Sequence, residues 1–441
     1  MLRSAILLLA CCCSSLGGCA SHADRLAEIR HDFYAGDLDR AVQAIDRSLE
    51  HPRHEAEVLK LERAIVDLAA GRPREAERTL REVRDRLDAA EGTSIGETTL
   101  SMLTDDTRKS YAGEDYEKVL VRAFLALSNL VNGGQDAQAY SLQVTDKQQQ
   151  IIQAAVDKDG NNPKLAYKQV ALGAYVHGMI REETHANYDD AARSSAMVVS
   201  WQPDFAYGRQ DLERAQRGRH SPPGHGVLYV FALTGRGPYK EEALEIPSTV
   251  ALLIADRILS NNSTYSLPPT IAPIKVPKVV TPNCTVSFVR VAVDHKSVGS
   301  TATITDIGRM AVAQHEAVFP TVVATAVARR VVKKGIVYGT KEIVGGRRNS
   351  LLNVGLDLAG VAWEATEAAD TRSWGLLPDK IQVLRVELPA GSHQIALQAV
   401  GPSGMGREAT EHVTLADGRN TYLLANFPDT HLVGKILTSP Q

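Results

Sequence analysis

Four of the five cysteines lie within the first nineteen residues, and beyond them only Cys284 remains. The body of the chain therefore has no pair of thiols for an internal disulfide, and its fold must rest on packing. Cys284 stands in N-C-T-V-S-F-V-R-V, a period-two pattern that predicts a buried strand thiol rather than a nucleophile. Aromatic residues are scarce, 5% of 441, which leaves little surface for stacking bases or sugars. Neither sign of charge dominates. A total of 49 Lys and Arg against 52 Asp and Glu gives -3, so no electrostatic footprint for nucleic acid is present. No apolar run reaches the roughly 20 residues of a membrane-crossing helix. In the later helices the longest charge-free stretch, Ala317–Ala328, is interrupted by Pro320. The remaining composition, 44% hydrophobic and 23% charged, is that of a globular chain. At roughly 100–200 residues per domain, the length suits two to four domains.

What is present begins at the amino end. Arg3 precedes the apolar run Ala5–Cys13, and Leu16-Gly17-Gly18-Cys19 follows. A charged start, a short apolar run and small residues at a cleavage point predict a secretory signal over residues 1–18. The L-G-G-C end resembles the lipobox of bacterial lipoproteins. That resemblance implies that Cys19 becomes the first residue of the mature chain and carries diacylglycerol and an amide-linked acyl chain. Ala20 is not the Asp associated with inner-membrane retention, so the outer membrane, facing the periplasm, is the expected location.

Residues 19–220 read as helix nearly throughout, with a repeat at the start. Leu26, Ile29, Phe33, Ala35, Gly36, Ala41 and Ile45 recur as Leu61, Ala64, Leu68, Ala70, Gly71, Ala76 and Leu80, each 35 positions on. This lies next to the period of about 34 residues of tetratricopeptide repeats. Gly36 and Gly71 fall where paired helices turn, and Ala41 and Ala76 where two helices approach closely. Asn161-Asn162-Pro163 predicts a helix stop, with a buried helix restarting over Leu165–Ile180. Arg217–Gly226, rich in Pro and Gly, marks a boundary.

From there to residue 441 an α+β domain is expected. Val227–Thr234 reads as a strand, with Lys240–Ile246 returning as its partner. Leu267–Pro282 is Pro-spaced and suits an edge strand. A helical hairpin is expected over 307–369, from Ile307–Lys341 and Ser350–Ala369. Short alternating runs over 381–427 predict four antiparallel strands, half of a small sandwich. The fold class is therefore α+β, a tetratricopeptide-like solenoid followed by a mixed domain.

Three further segments carry a resemblance: D-D-T-R-K-S-Y-A-G-E-D-Y-E at Asp105–Glu117, A-D-T-R-S-W-G-L-L-P-D-K-I at Ala369–Ile381, and G-P-Y-K-E-E at Gly237–Glu242. Together with the L-G-G-C end they make the chain similar to an uncharacterised family of bacterial lipoproteins with a tetratricopeptide-like front half. The resemblance implies a cell-envelope location and a helical repeat, and no particular activity.

Catalytic motifs are missing. His315-Glu316 lacks the second His of a zinc-protease motif, because position 319 is Phe. Gly401-Pro402-Ser403-Gly404 is a turn and not a nucleophile elbow. His177, His185, His220 and His225 share no metal spacing. No metal, cofactor or nucleic acid is expected. Two loops remain as binding candidates. Tyr111, Asp115 and Tyr116 lie on a predicted loop where contacts often sit; the same aromatics would also plug a gap between irregular repeats. Asp370, Arg372 and Trp374 suit a peptide or glycan contact, or a packed corner with Arg372 paired to a carboxylate. The basic pairs Arg329-Arg330, Lys333-Lys334 and Arg347-Arg348 suit either anionic headgroups or the wet face of a helix. The functional expectation is a lipid-anchored, non-enzymatic scaffold whose repeat groove holds envelope proteins or peptides. The alternative is an envelope enzyme acting on peptidoglycan or polysaccharide.

Overall fold

A computed structural model describes residues 22–52, 54–93, 110–156, 160–262, 266–268, 271–343 and 368–440. The signal, Cys19, Ala20, Arg347-Arg348 and most of the second hairpin helix lie outside the described residues.

Helices pair in chain order: α1 (His22–Tyr34) with α2 (Leu38–Glu50), α3 (Ala56–Ala69) with α4 (Pro73–Thr93), α5 (Asp115–Asn132) with α6 (Ala137–Gln153), and α7 (Ala171–Glu183) with α8 (Tyr188–Trp201). A short α9 (Gly208–Gln216) closes the row against α8. The turn glycines do what their position demands. Gly36 and Gly71 have φ of 81° and 85°, a region that costs a side chain strain. Ala41 and Ala76 are fully buried, as close helix approach requires. After Pro163 the chain forms one turn of 3-10 helix, Pro163–Ala166, and α7 starts only at Ala171 rather than at Leu165. The reason is local: Asn162 caps Lys164, and Tyr167 to Val170 stay extended, with the Gln148 side chain accepting from Val170 N.

The strand β1 (His225–Thr234) sits at the centre of the second half. It pairs antiparallel with β7 (Lys380–Pro389) and parallel with β11 (Asn420–Phe427), in a sheet ordered β12-β11-β1-β7-β6. The edges are β6 (Ala302–Asp306) and β12 (Leu437–Thr438). Both faces of β1 are buried, which is why it reads as a continuous apolar run. Val227, Tyr229, Phe231 and Leu233 face the helices, whereas Leu228, Val230 and Ala232 face a second sheet. That second sheet has the order β10-β8-β4-β5, from β4 (Phe288–Val293), β5 (Lys296–Ser300), β8 (Gly391–Gly401) and β10 (Ala409–Leu415), and the two-residue β9 (Gly404–Met405) pairs with β8. The layers are helices, sheet, sheet.

Several expectations need correction. The four late strands do not form one antiparallel set: β7 and β11 flank β1 in one sheet, and β8 and β10 belong to the other. The partner of β2 (Tyr239–Glu245) is β3 (Ile274–Val280), not β1, because β7 and β11 already occupy both edges of β1. Cys284 is exposed and outside any strand, because the chain joins the ladder only at Ser287 and Phe288, after Thr285 has bonded to Pro428 O. Residues 368–379 are irregular, with a turn at Gly375–Leu376, and not the end of a helix. The first hairpin helix is α11 (Ile307–Ile343), which packs on β3 and on α10 (Thr249–Asn262).

The helices and the central sheet share one apolar core. Tyr175 of α7 meets Phe205, Tyr229 and Phe231 edge-on, with centroids 5.6, 6.2 and 6.5 Å away. The chain end reinforces the join: Lys435 N donates to Ala69 O at 2.8 Å, at the end of α3. A Cβ on Gly434 would lie 1.9 Å from that carbonyl. Because the core is continuous, a Phe231→Ala cavity should destabilise both halves, by about 3–5 kcal/mol. In urea unfolding, helix ellipticity and tryptophan fluorescence are expected to shift together to lower midpoints. A helix transition left unshifted would show two independent folding units.

Candidate functional site

Two carboxylates stand where the helices meet residues 370–377. Glu62 lies on α3 and Glu117 on α5, and both are fully buried. A buried carboxyl group needs hydrogen-bond partners whether or not it carries its proton, and backbone amides supply them. Trp374 N donates to Glu117 Oε1 at 2.8 Å, Gly375 N to Glu62 Oε1 at 2.6 Å and Leu376 N to Glu62 Oε2 at 2.8 Å. Three successive amides are thus held by two helices. The remaining oxygen of Glu117 accepts from Glu114 N at 3.0 Å, inside a capping box at the start of α5, and from the Tyr111 hydroxyl. The Tyr116 hydroxyl donates to Glu117 Oε1 at 3.3 Å. Tyr34 OH donates to Gly375 O at 3.3 Å. Space at Gly375 is tight: a Cβ would meet Arg30 Nη1 at 3.0 Å and Glu62 Oε1 at 3.3 Å.

The flanks are charged and equally occupied. Arg372 grips Asp370 through two hydrogen bonds of 2.8 and 2.7 Å, donates to His54 O at 2.7 Å and stacks over the Tyr111 ring at 5.4 Å. The Lys240 ammonium, from β2, pairs with Glu114. Trp374 has no exposed surface, and its ring centroid lies 5.3 Å from that of Phe124. Its indole nitrogen has no hydrogen-bond partner among the described residues.

Burial dominates the electrostatics. It pushes Glu62 up to about 8, against the opposing pull of the Gly375 and Leu376 amides and Arg30. Burial likewise raises Glu117 and holds Tyr111 and Tyr116 well above the usual phenol range, where they remain donors. Burial also pulls Asp370 upward, but the Arg372 hydrogen bonds and Lys240 outweigh it, and its carboxyl ends below the ordinary range.

Five of the residues singled out from sequence, Tyr111, Tyr116, Asp370, Arg372 and Trp374, therefore converge in one cluster. Asp115 does not join it. Its carboxylate turns to Lys164 Nζ at 2.6 Å and Tyr167 OH at 3.0 Å. Tyr111, Tyr116, Arg372 and Trp374 are buried, so in this form they contact the chain itself. Sequence reasoning missed Glu62 and Lys240; the available signal was a carboxylate set within the apolar stretch V-L-K-L-E-R-A-I-V of α3. Chemically the cluster is closed. Nearby, a cavity bounded by Asp115, Gln148, Tyr167, Met310 and Gln314 has about 10 Å³, room for one water. Among the described residues no group of three or more His, Cys, Asp or Glu is placed to hold a metal ion.

Comparison with protein-family models, with curated proteins and with solved structures returns no match for this chain.

Since Glu62 binds its proton up to about 8 rather than the ordinary 4.5, the folded state holds the extra proton between those values. Stability is then expected to fall as pH rises through this window, by at most about 1.4 kcal/mol per pH unit for one proton. Glu62→Gln should flatten that slope in urea unfolding. Because buried histidines such as His220 slope the other way below about 6.5, the readout is the difference between the two proteins: identical pH slopes for wild type and Glu62→Gln would show that Glu62 titrates as an exposed carboxylate.

Proposed function

We propose that the chain is a lipid-anchored scaffold of the cell envelope, non-enzymatic, held at the periplasmic face of the outer membrane through Cys19. The observation that carries the non-enzymatic part is the closed cluster. Carboxylates that an enzyme would aim into a cleft are spent here on the chain's own amides. The scaffold part is supported by four consecutive helix pairs among the described residues, which we read as a tetratricopeptide-like array. The inner row, α1, α3, α5 and α7, turns its apolar faces to residues 374–377 and the central sheet, and of the four α1 keeps an exposed side at Ala27, Glu28 and His31. The surface left to an envelope protein or peptide is thus the outer row, α2, α4, α6 and α8, instead of the groove expected from the repeat.

Two measurements test this. Cys19→Ser is expected to abolish acylation, seen as lost mass on the amino-terminal peptide, and to release the protein from the membrane fraction; unaltered fractionation would refute the anchor. Photo-crosslinking in intact envelopes from Arg40 on α2 and Arg78 on α4, both exposed, is expected to give a discrete protein adduct. No adduct from the exposed outer row would remove the scaffold reading.

A further inference from the structure

Where β2 ends, the chain turns its aliphatic side chains outward. Leu244 and Ile246 are 71% and 74% exposed, and Val250 and Leu253, in the first turns of α10, are 57% and 68% exposed. All four lie in one strand-to-helix corner joined through Pro247 and Ser248. Single exposed aliphatics are ordinary on a protein surface, but a local run of four marks a contact. Within α10 the buried positions are Ala251, Ala255 and Leu259, while Val250 and Leu253 meet solvent.

Contacts elsewhere fix what lies at the same end of the molecule. Helix α1 runs alongside residues 369–375. Arg25 pairs with Glu55, next to His54, whose carbonyl accepts from Arg372. Further along α1, Arg30 stacks on Tyr239 at 4.6 Å and Tyr34 donates to Gly375 O. On the other side of that segment, Lys240 N donates to Ser373 Oγ at 3.3 Å and Ala369 N donates to Glu242 at 2.9 Å, so β2 advances from its start to its middle as the segment is followed back from 373 to 369. The start of α1 therefore lies at the end toward which β2 runs, the end that carries Leu244 to Leu253. Only Ala20 and Ser21 separate Cys19 from His22. The three steps from Cys19 to His22 reach about 10 Å at ~3.4 Å per residue.

We infer that the Leu244–Leu253 corner is a second membrane contact, seated in the interfacial layer of the leaflet that holds the Cys19 acyl groups. The inference rests on the lipid-anchor reading. Around the corner Glu241, Glu242, Glu245 and Asp256 stand with Arg257, Lys275, Lys278 and Arg330, so the signs balance and no cationic excess draws it to anionic headgroups. The attraction is apolar burial. Four partly inserted aliphatics bind weakly alone, but a tether raises their effective concentration at the bilayer and populates the contact.

The test uses one added thiol. A Cys284→Ser, Leu253→Cys chain is purified with its acyl groups, labelled with bimane and reconstituted into phosphatidylcholine vesicles with brominated acyl chains. The acylated Cys19 takes no label. Strong quenching at position 253, unchanged by salt, is expected, with none for the same label at Leu142→Cys on α6, a site 45% exposed in the parent chain. Undiminished emission at 253, or equal quenching at both positions, overturns the second contact while leaving the anchor intact. The anchor is read separately, from the mass of the Cys19 peptide. If Cys19 carries no acyl groups, the anchor reading fails, and with it the leaflet assignment. The corner is then judged with the chain tethered by an amino-terminal hexahistidine to nickel-chelating lipid. Quenching at 253 there keeps the membrane contact, and its absence ends it.

Discussion

Three consecutive backbone amides, those of Trp374, Gly375 and Leu376, are held by two carboxylates that no water reaches. Much of the architecture follows from that requirement. Neither Glu62 nor Glu117 is tolerable inside an apolar helical layer without donors, and the donors come from the far end of the sequence. The helical layer and the segment that leads into β7 are therefore mutually dependent. Each hides polar groups that the other satisfies, and Trp374 fills the space between them.

The central strand completes the interdependence. A helix layer with one apolar face and a sheet with two must both be covered, and stacking helices on one side of β1 and a second sheet on the other does so. β1 thus has no solvent face, and its neighbours on both edges come from the last quarter of the sequence. The boundary at Arg217–Gly226 is a change of secondary structure and not a change of core, since Tyr175 and Phe205 pack directly on Tyr229 and Phe231 or on one another.

What was legible in the sequence was what local sterics decide. Gly36 and Gly71 could be placed because a positive φ admits little else, and Ala41 and Ala76 because closely packed helices demand a small residue. The alternating runs announced strands but not their pairing, since register depends on which edges remain free. Cys284 lies outside the strand its pattern predicts because the alternation begins at Asn283, whereas the ladder begins only at Phe288. The site was half legible. Both unusual segments, around Tyr111 and around Trp374, stood out by composition, yet nothing near either one encodes their meeting. Trp374 reaches Glu117 across 257 positions. Glu62 was invisible for the same reason: a lone carboxylate in an apolar helix looks solvated until a remote amide is found beside it.

The carboxyl-terminal lap over α3 sets an order of events. During synthesis the amino-terminal helices emerge first, yet Ala69 O, the spaces beside Glu62 and Glu117, and the apolar face of α7 stay unfilled until β7, β11 and Lys435 exist. Such distant closures are slow. The final seating of the amino-terminal helices therefore waits on the carboxyl-terminal quarter of the chain, however early those helices pair with one another.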